Sequence, residues 1–238
     1  MISPYQKEYT VLSSDTDAKQ RLRLSRLLTL LQEAAIAHTT ELGFGREKTL
    51  DKGYLWVITV QQALISRLPR YDETVTLTSL PGEMMHTFYP RYYRITDAEG
   101  NELINASALW TLMDRSTRGF VFPETSGVVI DGSKPDGQAF YPRPPKMPPK
   151  DNEVRFTVPY SAVDLNGHMN NTRYFDLAED LMDPALRAAD VQELSVEYTG
   201  EAKCGDELSL TYGVSGGTFL LSGTKEKRLF RLGLRYDV

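Results

Sequence analysis

Asp164, Asn166 and His168 stand at alternate positions in the stretch Val163-Asp164-Leu165-Asn166-Gly167-His168-Met169-Asn170-Asn171. In an extended approach such residues face one way, which brings an acid, an amide and an imidazole to one spot. A run of helical periodicity follows directly, and a helix start offers unsatisfied backbone N–H groups and the positive end of a dipole to a developing oxyanion. An imidazole base needs an orienting carboxylate. Glu201, just past the end of the next predicted strand, is the candidate. The expected catalytic set is therefore Asp164, Asn166, His168 and Glu201, suited to proton transfer beside a stabilised oxyanion.

The elements that must position this set recur twice along the chain. Residues 4–11 read as a strand. Leu24, Leu27, Leu28, Leu31, Ala34, Ala35, His38 and Leu42 then recur at helical spacing, predicting a helix over 24–42 closed by Gly43 and Gly45. Strands are predicted at 54–64, 74–80, 87–97 and 102–114. Between Pro123 and Asn152 glycines and prolines, among them Gly127, Gly132, Gly137, Pro142 and Pro149, break regular structure. The pattern then restarts: a strand at 154–160, a helix over 171–186, and strands at 192–198, 207–213, 218–225 and 227–236. Asp17, Ser25, Arg26 and Leu27 superpose on Asp164, Thr172, Arg173 and Tyr174 at a constant offset of 147. Later, Asp72-Glu73 superposes on Asp206-Glu207 at an offset of 134. In this alignment Asn166, His168 and Glu201 face Lys19, Arg21 and Arg67, so only the aspartate persists in both halves. A long helix laid on an antiparallel sheet, twice over, is an α+β double hotdog. The expected boundaries are residues 1–125 for the first unit, 126–150 for a Pro/Gly-rich linker and 151–238 for the second, chemical unit.

Composition excludes other classes. The chain of 238 residues is 41% hydrophobic and 25% charged, enough for two cores and unlike a disordered chain. A net charge of −5 argues against bulk nucleic-acid binding. No apolar run reaches the ~20 residues of a membrane helix, and residues 1–9 carry no signal-peptide pattern. The single Cys204 cannot form an internal disulfide, consistent with a reducing, cytoplasmic setting. His38 falls on the helix's apolar stripe as a core or pocket-wall residue, His86 follows a Pro-Gly turn as a surface residue, and neither has acidic partners at metal-ligand spacing, so neither metal nor cofactor is expected. Trp56, Trp110 and Tyr174 are expected to pack inside, with pocket-lining the second reading for the tryptophans, and Asn170 and Asn171 read as helix caps.

The chain resembles the acyl-acyl carrier protein thioesterases. The likeness rests on Asp164-x-Asn166-x-His168-x-Asn170-Asn171-x-x-Tyr174, on Glu197-Tyr198-x-x-Glu201, on Leu31-Gln32-Glu33-Ala34 with His38 and Leu42-Gly43, and on Ser107-Ala108-Leu109-Trp110 with Asp114 and Thr117-Arg118. It implies hydrolysis of fatty acyl chains from the phosphopantetheine arm of acyl carrier protein, catalysis by Asp164, Asn166, His168 and Glu201, and an acyl pocket lined mostly by the first unit. Two routes stay open: a water deprotonated by His168 and Glu201, or attack by Asp164 to give an anhydride that water cleaves. Plant relatives place a cysteine directly after the glutamate, whereas Ala202 and Lys203 precede Cys204 here, which weakens any role for the thiol. Acyl-coenzyme A hydrolysis, a hydratase or dehydratase on the same fold, and an acyl-binding protein without turnover are the alternatives. An acidic carrier protein calls for a basic face, for which Arg21, Arg23 and Arg26 or Arg143, Lys146 and Lys150 are candidates. A monomer and a homodimer are both compatible with the duplication.

Overall fold

Alternating apolar residues make strands here and the 3.6-residue stripe makes one long helix, and the elements follow the repeated order. The computed structural model describes residues 2–135 and 140–237, so Gly137 of the expected linker lies outside the described residues. In chain order the elements are β1 (Tyr5–Thr10), α1 (Leu24–Glu41), β2 (Tyr54–Ile65), β3 (Thr74–Pro81), β4 (Phe88–Thr96), β5 (Glu102–Asp114), α2 (Pro123–Ser126), β6 (Asn152–Thr157), α3 (Arg173–Leu181), α4 (Pro184–Ala188), β7 (Val191–Tyr198), β8 (Glu207–Ser215), β9 (Thr218–Thr224) and β10 (Arg228–Tyr236). Among the described residues the strands form one sheet in the order β1-β3-β4-β5-β2-β7-β10-β9-β8-β6. Read inward from either edge, the two halves have the same order and meet at the antiparallel β2–β7 pair, where Val60 faces Glu197 and Leu64 faces Glu193.

The buried stripe of α1, including Leu24, Leu27, Leu31, Ala35 and His38, lies over the first half. The second half is covered differently. The helix expected over 171–186 stops at Leu181, Met182 turns extended, and α4 begins at Pro184 with the Asp183 side chain accepting from Ala185 N at 2.7 Å. Proline has no N–H for an interior helix bond and pushes its predecessor out of helical geometry, so one helix becomes two. Tyr174 and Phe175 of α3 are fully buried, and the Tyr174 ring sits 4.1 Å from that of Phe230 on β10. No helix among the described residues is long and apolar enough to cross a membrane.

The Pro-rich segment before β6 is packed against the sheet. The Arg143 N–H donates to Gln62 on β2 at 3.0 Å. Farther along, a side chain at Gly213 of β8 would place its Cβ 2.7 Å from Pro149 and one at Gly233 of β10 would meet Pro145 at 3.1 Å. Gln62, Ser195 and Gly233 are paired across adjacent strands, so the segment crosses the face opposite the helices.

Hydrogen bonds also correct the register of the repeat. Val11 N donates to Glu73 O and Val158 N to Asp206 O; Asp72 N donates to Val11 O and Gly205 N to Val158 O. Asp72 and Gly205 are both left-handed, at φ 66° and 82°. The offset after the first helix is therefore 133, and the first-half counterpart of Glu201 is Leu68 rather than Arg67.

Candidate active site

The turn that carries the expected catalytic residues is tight, not extended. Asp164 N donates to His168 O at 2.9 Å, Gly167 N donates to Asp164 O at 3.0 Å, and Asp164 Oδ1 accepts from Asn166 N at 2.8 Å. Gly167 holds φ 79°, a left-handed conformation that glycine adopts without penalty. Because the chain reverses here, Val163 pairs with Met169, and His168 is delivered against Lys203 as a bridge beside Glu201. The alternation of Asp164, Asn166 and His168 is thus a consequence of a five-residue turn, and the Asn166 side chain stands at its exposed tip.

The first half builds the same turn. Asp17 N donates to Arg21 O at 2.8 Å, Gln20 N to Asp17 O at 3.0 Å, and Asp17 Oδ1 accepts from Lys19 N at 2.8 Å, with Gln20 at φ 61°. An aspartate at this position shapes the turn whether or not chemistry follows. The other two side chains differ in use: Lys19 Nζ donates to Ala188 O at 2.5 Å, while Arg21 donates to Arg187 O, Ala189 O and Asp190 at 2.8–3.0 Å. Arg21 is thereby engaged inside the chain, as is Arg26 through Asp15 and Tyr9. The basic group expected at the start of α1 is largely consumed by these pairs.

His168 Nε2 lies 3.3 Å from Glu201 Oε2, and the His168 side chain is only 13% exposed. A third partner, absent from the expected catalytic set, completes the cluster. Arg118, after β5 of the first half, places Nη2 3.2 Å from His168 Nε2 and also donates to Glu201 Oε2. Arg118 sits at φ 60° in a turn fixed by Asp114, whose Oδ1 accepts from Ser116 N and Oγ and from Thr117 N and Oγ1. Those donors, the Ser116 hydroxyl first, hold the Asp114 carboxyl down at about 2. Asp114-x-Ser116-Thr117 is a readable side-chain-capped turn; that its arginine meets residues 50 and 83 positions later is not.

The cluster has a simple proton logic. A guanidinium only donates and a carboxylate only accepts. His168 Nε2 either donates to Glu201 or accepts from Arg118, and the two arrangements differ by where one proton sits. Neither asparagine is the helix cap, since the N-cap of α3 is Thr172 and makes no side-chain cap bond; Asn170 Oδ1 instead accepts from Thr172 N at 3.0 Å and Thr172 Oγ1 at 2.8 Å in the turn before the helix, and the Asn171 carbonyl accepts from Tyr198 OH at 2.9 Å. Cys204 is exposed and free. His86 is exposed, while His38 is buried.

A polar cleft of about 630 Å³ between the start of α1 and α3 reaches Asp164 and Asn170. Glu179 on its wall is 23% exposed and 3.7 Å from Arg23. Burial outweighs that arginine and raises the carboxyl from 4.5 to about 7. The folded protein then holds a proton that the unfolded chain has released between these values, so stability falls as pH rises through the window. The shift corresponds to about 3 kcal/mol. In urea titrations Glu179→Gln is expected to flatten the decline between pH 5 and pH 8 and to be the more stable protein at pH 8; an unchanged slope contradicts the assignment.

Comparison with known proteins agrees with this architecture. Residues 3–122 match the acyl-ACP thioesterase N-terminal domain and residues 146–233 its C-terminal domain. A chloroplastic acyl-(acyl-carrier-protein) hydrolase of Cuphea viscosissima is 25% identical over 218 residues, covering 83% of this chain and 50% of its own length. The chloroplastic palmitoyl-acyl carrier protein thioesterase of Gossypium hirsutum is 23% identical over 217 residues, with 84% and 52% covered. The chain thus spans about half the length of these relatives. An acyl-ACP thioesterase structure from Bacteroides thetaiotaomicron superposes at TM-score 0.87 with 20% identity over 98% of both chains. The 12:0-ACP thioesterase of Umbellularia californica does so at 0.83 with 17% identity over 98% and 97%. These neighbours share the double-hotdog fold, and with both domains matched in order along its length this chain belongs to the acyl-ACP thioesterase family.

Proposed function

We propose that the protein hydrolyses fatty acyl thioesters presented on acyl carrier protein, with the chemistry in the second half and the acyl chain held by the first. The observation that carries this reading is the meeting of His168 and Glu201 at 3.3 Å, with the exposed Asn166 on the same turn as His168, in one half of a duplicated chain of this family. In the proposed reaction the Asn166 side-chain amide donates to the thioester oxygen. His168 and Glu201 orient a water and take its proton as its oxygen bonds to the carbonyl carbon. The carbon–sulfur bond then breaks, and the proton passes to the departing thiolate, leaving fatty acid and the carrier's free thiol.

Asp164 shapes the turn in this scheme. Asp17 makes the same backbone bonds in a half that lacks the amide and imidazole, which supports a positioning role over nucleophilic attack. Arg143, Lys146 and Lys150 are exposed along the segment that crosses the helix-free face, and we place the acidic carrier protein's approach there in preference to the engaged arginines of α1.

Fatty acid release from a chain-length series on carrier protein and on coenzyme A tests the substrate. Higher kcat/KM with the carrier is expected. Equal rates on coenzyme A would transfer the reading to that thioester, and loss of water from a hydroxyacyl chain without release of acid would replace it with a dehydratase.

A further inference from the structure

Arg91 of β4 is buried, at 5% exposure, beneath α1. Its Nη1 meets His38 Nδ1 and donates to Ser79 Oγ, both at 3.1 Å, and Nη2 donates to Thr39 Oγ1 at 3.0 Å. Among the described residues no carboxylate pairs with it. Burial, and then the neighbouring guanidinium, lower the pKa of His38, so its ring is a neutral acceptor. A charge withdrawn from water and answered only by neutral groups is among the least favourable arrangements a core can hold.

The fold does not require it. Arg91 pairs with Pro81, and the matching pair in the second half is Phe219 with Val214. Phe219 is 2% exposed, so an apolar ring fills the same site of the same sheet.

Arg91 lines a narrow crevice with Ile36, Trp56, Tyr89, Trp110 and Ile130, with room for about 20 Å³. Within it the indole N–H of Trp110 reaches Tyr93 Oη at 3.2 Å. The N–H of Trp56 is buried and has no acceptor, although its ring is fixed edge-on to Tyr89 at 4.9 Å. An indole nitrogen can only donate, and an orphaned buried donor is costly. The crevice wall therefore carries one donor without an acceptor, the Trp56 N–H, beside a guanidinium answered only by neutral groups.

The crevice wall lies along the strand that leads to the reacting groups. Trp56 pairs with Leu112, two residues before the Asp114 turn that delivers Arg118 to His168, and Arg91 pairs with Ala108 on the same strand. At ~3.4 Å per residue, Ala108 lies roughly 20 Å along β5 from Asp114.

We propose that this crevice receives an acyl chain bearing an oxygen function remote from the thioester, a hydroxyl, oxo or carboxylate group, and that Arg91 and Trp56 donate to that oxygen. The proposal rests on the thioesterase reading and names the substrate class. A plain methyl-ended chain leaves the Trp56 N–H unanswered; an oxygen there gives it an acceptor and gives the guanidinium a further one. The space available suits one small polar group of about the size of a water molecule.

The test compares plain, hydroxy, oxo and terminal-carboxy acyl chains of equal length on carrier protein. The expected kcat/KM ratio of at least one oxygenated chain over the plain chain is about tenfold or more, and the chain that benefits identifies the group. Trp56→Phe, which keeps a ring and removes the donor, and Arg91→Met are each expected to bring the ratio toward one. A plain chain preferred by the native protein, or a ratio untouched by Trp56→Phe, overturns the proposal. If no thioester of any kind is cleaved, the thioesterase reading fails instead. Calorimetric binding of free hydroxy, oxo or dicarboxylic fatty acids against the plain acid then decides the crevice alone, with tighter binding of an oxygenated acid expected and equal binding refuting it.

Discussion

Replacing His168 with alanine is expected to lower kcat for acyl carrier protein thioesters by about 10³-fold, within the range that a positioned general base supplies. KM is expected to change little, because the imidazole touches the attacking water and not the acyl chain. His168 is held by its neighbours on a turn whose backbone bonds do not involve its ring, so the variant should unfold at the native midpoint. Glu201→Gln is expected to give a loss of similar size: the amide keeps the shape but cannot take a proton, and Glu201 is largely a surface residue with little to contribute to the core. Steady-state release of fatty acid with a thermal melt of each variant checks both. Undiminished kcat in either, at native stability, would remove that residue from the reaction.

The second large effect belongs to Arg118. Its guanidinium bridges His168 and Glu201 from the opposite half, and misplacement of a catalytic pair by about an ångström costs on the order of 10² in rate. Arg118→Ala is expected to lower kcat by about that factor, since His168 and Glu201 lose the group that bridges them. Arg118→Lys should restore only part of the rate, because an ammonium lacks the planar fork that spans both partners. An undiminished kcat in the alanine variant, or full rescue by lysine, would reduce Arg118 to a surface ion pair.

Much of this arrangement can be read from the chain. β5 spans the predicted residues 102–114, and α1 ends one residue short of the prediction, because alternation and a 3.6-residue stripe over more than ten positions leave little ambiguity. Shorter signals mislead in ways that geometry explains. Pro184 outweighs the helical periodicity around it. Asn166-Gly167 is a turn signal, stronger than the alternation of polar residues that suggests an extended run. Aligning Asp72 with Asp206 by identity misplaces the repeat by one, since the left-handed residue after the strand is Asp72 in one half and Gly205 in the other. Arg118, the donor-rich crevice and the 133-residue offset depend on which distant segments meet, and single-sequence periodicity carries no such information. The asymmetry between the halves is legible: the imidazole, amide and carboxylate occur in one copy only, and the corrected counterpart of Glu201, Leu68, preserves that contrast.

The central claim is that His168 and Glu201 act as one unit on the thioester, and a double-mutant cycle in kcat/KM for an acyl carrier protein substrate tests it most directly. If they share one proton transfer, His168→Ala with Glu201→Gln loses little more than either single variant, as groups that act together are strongly non-additive. If the two losses multiply, the residues act independently, and the site described here is not the unit that performs the hydrolysis.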